Sequence, residues 1–69
     1  MGILDLLLGG NKYRRMTHDE LRDLINAYAM EGNYDMLEYI AEEIRFNRNL
    51  TEHEKNSLWE LIDRYLEGA

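Results

Sequence analysis

The tetrapeptides Thr17-His18-Asp19-Glu20 and Thr51-Glu52-His53-Glu54 repeat one device at two points of the chain. A Thr at a helix N-cap accepts the amide three residues on, and a Glu at that third position reaches back to the cap amide. Two of the orphan donors of a helix start are thereby satisfied by local sequence alone. Met16 and Leu21 flank the first box at the positions of a hydrophobic staple. Behind each box the apolar residues recur with helical period, as Leu21, Leu24, Ile25 and Tyr28 and as Leu58, Leu61, Ile62 and Tyr65. A third stripe, Leu37, Ile40, Ala41 and Ile44, lies between them, opened by Asn33 as a cap and separated from the first by Gly32, a natural helix stop. The chain has no proline to break these runs, and strict alternation nowhere lasts long enough to compete.

These signals predict an all-α fold in a single domain over 1–69. It comprises an apolar head at 1–10 that forms a short N-terminal helix, a polar linker at 11–16, and helices at 17–31, 33–47 and 51–67. The second long helix is expected to fade at Asn47-Arg48-Asn49, because Asn favours turn conformations over continued helix. The tight Gly32-Asn33 junction predicts an antiparallel hairpin of the first two long helices. The third packs against it in a three-helix-bundle-like arrangement, because each apolar stripe must be covered.

A 69-residue chain buries only about 60% of the surface its unfolded form exposes, so its core is thin. Disulfides and thiolate metal sites are both excluded by the absence of Cys. Oligomerisation or burial against a partner is the remaining support. A cysteine-free chain also fits a reducing cytoplasm, the expected location. The net charge of −6 argues against direct nucleic-acid binding, which needs clustered cations. Lys12, Arg14 and Arg15 form the one local basic cluster; it is too small for a phosphate-tracking surface and reads as a solvated linker.

The head carries Ile3, Leu4, Leu6, Leu7 and Leu8 before Gly9-Gly10, enough for about two helical turns that are apolar nearly all round. It is too short to span a bilayer, and it lacks the basic start of a signal peptide and the usual myristoylation pattern. Three uses are open to it: completing the core, docking into a partner or sister chain through Leu4, Leu7 and Leu8, or shallow membrane contact beside the basic cluster.

Two further apolar sets exceed what a hairpin must bury. Met36, Tyr39 and Phe46 are turned well away from the Leu37-Ile40-Ile44 stripe at about 100° per residue, and Trp59 with Leu66 widens the stripe of the third helix. Aromatic and Met side chains are common binding anchors, so Met36, Tyr39, Phe46, Trp59 and Leu66 join the head as candidate partner-binding residues. Glu38, Glu42, Glu43, Glu60, Asp63 and Glu67 are expected along the outer faces, either simply solvated or as a carboxylate array that mimics nucleic acid.

Catalytic chemistry finds no foothold. The hydroxyls are Ser57 and the two capping Thr residues, so no nucleophile-base triad can be composed. His53-Glu54 begins a zinc-protease pattern, but Ser57 stands where the second His must be. Gly9-Gly10-Asn11-Lys12 lacks the strand, loop length and hydroxyl of a phosphate-binding loop. No catalytic residue, metal or cofactor is therefore expected, and the chain reads as not an enzyme.

Leu24-Ile25-Asn26-Ala27-Tyr28, Gly32-Asn33-Tyr34-Asp35 and Leu37-Glu38-Tyr39 together resemble one tetratricopeptide-type helical hairpin over Leu24 to Asn49. The match departs at Ile25, where that repeat prefers Gly, needs a one-residue shift in the second helix, and lacks the closing Pro. The resemblance implies protein or peptide binding, with the third helix as a cap. The functional expectation is a non-enzymatic protein–protein interaction module, a small inhibitor or adaptor of the kind viruses and mobile elements carry. A self-assembling homo-oligomeric subunit and an acidic nucleic-acid mimic are the alternatives.

Overall fold

Both Thr boxes form as expected in the computed structural model of the chain, which describes residues 12–68. The first long helix, α1, runs His18–Glu31. Thr17 at its N-cap accepts the Glu20 amide, and the Glu20 carboxylate accepts the Thr17 amide at 2.9 Å. Its far end is a Schellman motif: Gly32 takes a left-handed conformation at φ 74°, its N–H donates to the Ala29 carbonyl, and the Asn33 N–H donates to that of Tyr28. Asn33 then serves a second purpose, its side chain accepting the Met36 amide to open α2, Tyr34–Ile44. The last helix, α3, spans Glu52–Glu67 and starts with the Thr51–Glu54 box. The fold is all-α, and each of the three helices packs against the other two.

The core is small and drawn from the expected stripes. Leu21 and Ile25 of α1, Leu37, Ile40 and Ile44 of α2, and Leu58 and Ile62 of α3 are buried, while Leu24, Tyr28, Ala41, Leu61 and Tyr65 pack around them partly covered. Each fully buried Leu or Ile contributes about 1.5–3 kcal/mol of transfer free energy. Leu50, in the α2–α3 connection, also belongs to this core, although it falls outside every stripe. Two side-chain bonds lock the helices laterally. The Trp59 indole N–H donates to the Ala41 carbonyl at 2.9 Å, tying α3 to α2, and the Tyr65 hydroxyl bonds Asn26 of α1.

Three expectations need correction. The stretch 12–15, read as linker, is helical: Tyr13, and Met16 just beyond it, pack against the core, because the second face of α2 offers apolar surface to cover. Helix α2 ends at Ile44, not near Asn47, so Phe46 lies in the turn that follows. Glu43, expected on an outer face, is only 8% exposed; the residue 12–15 segment lies over it and supplies its partner, Arg14. The apolar head at 1–10, with Leu4, Leu7 and Leu8, lies outside the described residues. Among the described helices none is long and apolar enough to cross a membrane.

Candidate functional site

Helix α2 needs only one face for the core, and Leu37, Ile40 and Ile44 supply it. Met36, Tyr39 and Glu43 follow one another at i, i+3 and i+7, roughly a quarter-turn around the helix from that stripe. The segment 12–15 docks on this second face. Tyr13 and Tyr39 meet edge to face, with ring centroids 5.7 Å apart and planes at 83°, the arrangement that ring quadrupoles favour. Next to them Arg14 donates from Nε to Glu43 Oε1 at 3.0 Å, while its guanidinium carbon sits 4.7 Å from the centroid of the Phe46 ring. One arginine thus meets a largely buried carboxylate and an aromatic face together. Burial, with the Tyr28 and Tyr39 phenols close by, pushes the Tyr13 hydroxyl above its ordinary value.

Asn47 holds this docked segment in place. Its side chain is almost wholly buried, at 2% exposure, and each of its polar hydrogens and lone pairs is engaged. The amide nitrogen donates to the carbonyls of Tyr13 at 2.9 Å and Met16 at 3.0 Å. The amide oxygen accepts from the backbone of Asn49 at 2.7 Å and Leu50 at 3.1 Å. Two donors aimed at carbonyls and an acceptor aimed at N–H groups match an asparagine side chain in one orientation only. Asn49 repeats the connection by donating its side-chain amide to the Arg15 carbonyl. A local turn between α2 and α3 is therefore also the clasp that binds chain some thirty residues upstream.

Exposure divides the candidate partner-binding residues. Tyr39 is 42% and Phe46 50% exposed, although Tyr13 and Arg14 fix both rings. Met36 is half-buried, Trp59 is held by its bond to Ala41, and Leu66 packs on the core. Tyr39 and Phe46 are therefore the solvent-facing members of this set, and Trp59 and Leu66 are among the packing residues. Met30, unremarked in the sequence, is the most exposed large apolar side chain among the described residues at 89%.

Beside Phe46 opens a cleft of about 570 Å³ lined by Arg14, Arg15, Arg45, Phe46, Asn47, Arg48, Asn49 and Lys55. Five of the chain's eight Lys and Arg residues meet there, and among the described residues no Asp or Glu lines it. In the sequence Lys12, Arg14 and Arg15 form one small cluster, of which Lys12 does not line the cleft, and Arg45, Arg48 and Lys55 stand apart from it. No local pattern joins the two groups; the Asn47 clasp does. Lys55 also donates to the Arg45 carbonyl at 3.2 Å, placing a cation at the end of α2, where the helix dipole favours one. A smaller cleft of about 240 Å³ between α1 and α3 is lined by His18, Arg22, Ser57, Leu58, Glu60, Leu61 and Arg64.

No family model, curated protein or solved structure matches the chain.

Proposed function

We propose that the chain is a non-enzymatic protein-interaction module, a small inhibitor or adaptor that grips a larger partner through Tyr39 and Phe46. One observation carries this reading: both rings are exposed, and each is also braced by a neighbouring side chain. Binding costs about 0.5–1.5 kcal/mol for each side chain that must be immobilised. Tyr39 braced on Tyr13, and Phe46 covered on one side by Arg14, avoid much of that cost. Exposed aromatic side chains held in this way are the usual anchors of protein interfaces. The resemblance of Leu24–Asn49 to a tetratricopeptide-type hairpin points in the same direction. The lack of Cys supports a reducing, cytoplasmic setting for the interaction.

Affinity capture from the native host with immobilised wild-type chain, a Tyr39→Ser/Phe46→Ser variant and a Met30→Ser variant tests the assignment. The expected outcome is a partner retained by wild type and Met30→Ser and reduced about tenfold or more by the double variant. Equal retention by all three chains contradicts it. Self-assembly is the second reading, favoured by the coexistence of a basic cleft and exposed Glu38 and Glu42 on one chain. A monodisperse monomer in light scattering would rule that reading out.

A further inference from the structure

The basic cleft is unusual for this chain. A net charge of −6 means that anions dominate elsewhere, yet five cations converge on one concavity. Their mutual repulsion opposes folding, so structural needs have to be weighed first. Glu43 neutralises Arg14. The C-terminal dipole of α2, equivalent to about half a charge, accounts for part of Lys55. Roughly three and a half unit charges are left without compensation. Among the described residues Arg15, Arg45, Arg48 and Lys55 have no carboxylate within 4.0 Å. The Glu54 carboxylate, one residue from Lys55, is engaged at the Thr51 amide.

We infer that the cleft takes an acidic segment of the partner protein, its carboxylates held by Arg15, Arg45, Arg48 and Lys55 and a neighbouring apolar side chain laid on the exposed part of Phe46. The inference rests on the reading above that the partner is a protein, and it names the chemistry by which that partner is recognised. Clustered guanidinium groups bind carboxylates in fork geometry, and acidic-motif recognition by arginine clusters is a recurrent mode. A nucleic acid carries apolar bases but also an unbroken line of charge. Elsewhere the chain exposes Glu38, Glu42, Glu52, Glu60 and Asp63, and its net charge of −6 disfavours a strand whose charge continues beyond the cleft. A peptide limits its charge to the residues that face the cations. Phe46 in the rim of the cleft gives apolar contact that a lone phosphate ion could not use.

Titration of the isotope-labelled full chain, followed by nuclear magnetic resonance, tests this with a short peptide of Asp and Glu around a central Phe. Parallel arms use single-stranded RNA of equal charge and inorganic phosphate. Expected are shifts confined to residues 14–15, 45–49 and 55, and an affinity for the peptide about tenfold lower in Arg45→Gln/Arg48→Gln, equivalent to about 1.4 kcal/mol. Arg22→Gln/Arg64→Gln, removing the same charge elsewhere, should leave it unchanged. Both substituted pairs are exposed, so neither change disturbs the core. Absence of peptide binding, equal affinity in the two double variants, or tighter binding of RNA or phosphate than of peptide overturns the assignment. In host capture, a partner lost by Tyr39→Ser/Phe46→Ser but kept by Arg45→Gln/Arg48→Gln would overturn the cleft inference alone and leave the interaction module standing.

Discussion

Asn47 ties the segment 12–16 to the α2–α3 connection through a single side chain. Its amide bridges the backbone of Tyr13 and Met16 to that of Asn49 and Leu50. Truncation would strand two carbonyls and two N–H groups at once. An unsatisfied buried polar group costs about 1–3 kcal/mol, and water can reach some of these four. Asn47→Ala should therefore lower unfolding free energy by about 2–4 kcal/mol in urea denaturation, a large share of what a domain of this size possesses. Asn47→Asp keeps the acceptor toward Asn49 and Leu50 but turns a carboxylate oxygen onto two carbonyls, so it should rescue little at neutral pH. A loss under 1 kcal/mol for Asn47→Ala would mean that the clasp is not what holds residues 12–16. This residue was legible in the sequence as a turn former and no further. Its partners lie 34 and 31 positions upstream, and neither periodicity nor turn chemistry carries information over that separation.

At the scale of elements, local signals did most of the work, and their failures have identifiable causes. The two Thr–Glu boxes, Asn33 and Gly32 stand in the sequence as they stand in the fold, because caps act over three or four residues. Gly32 supplies the left-handed turn between α1 and α2, with nothing within 4 Å of where a Cβ would stand. Gly32→Ala should accordingly cost about 1 kcal/mol from backbone conformation alone, and Gly32→Asn clearly less. Denaturation midpoints with an unchanged slope would check this. A loss as large as a core truncation would point to a clash that the surroundings do not show. The C-terminal end of α2 was harder to read. Ile44, Arg45 and Phe46 carry no stop signal, and the helix ends there because Asn47 accepts the Asn49 and Leu50 amides in competition with helical bonding. The helical turn at 12–15 was illegible for a related reason, since Tyr13 packs on Tyr39 of α2 and Arg14 on Phe46 in the turn beyond it, both far along the chain.

Across the whole molecule, charge and greasy surface are segregated in a way that composition conceals. The average reads as an acidic chain, whereas five cations and the exposed Phe46 share one cleft. That the apolar residues would outnumber the places to hide them was apparent from the broad faces of the second and third helices. Which of them would stay exposed was not, because Trp59 and Tyr39 are equally plausible anchors until the Trp59 bond to Ala41 is seen. If the chain acts as proposed, Tyr39 and Phe46 form its contact with the partner. Side-chain radical footprinting of the chain, alone and in the complex recovered from its native host, measures this most directly. Reactivity at Tyr39 and Phe46 should fall severalfold on complex formation while Met30 on the same molecules stays reactive. Unchanged labelling of both rings, with protection appearing at Met30, would contradict the account.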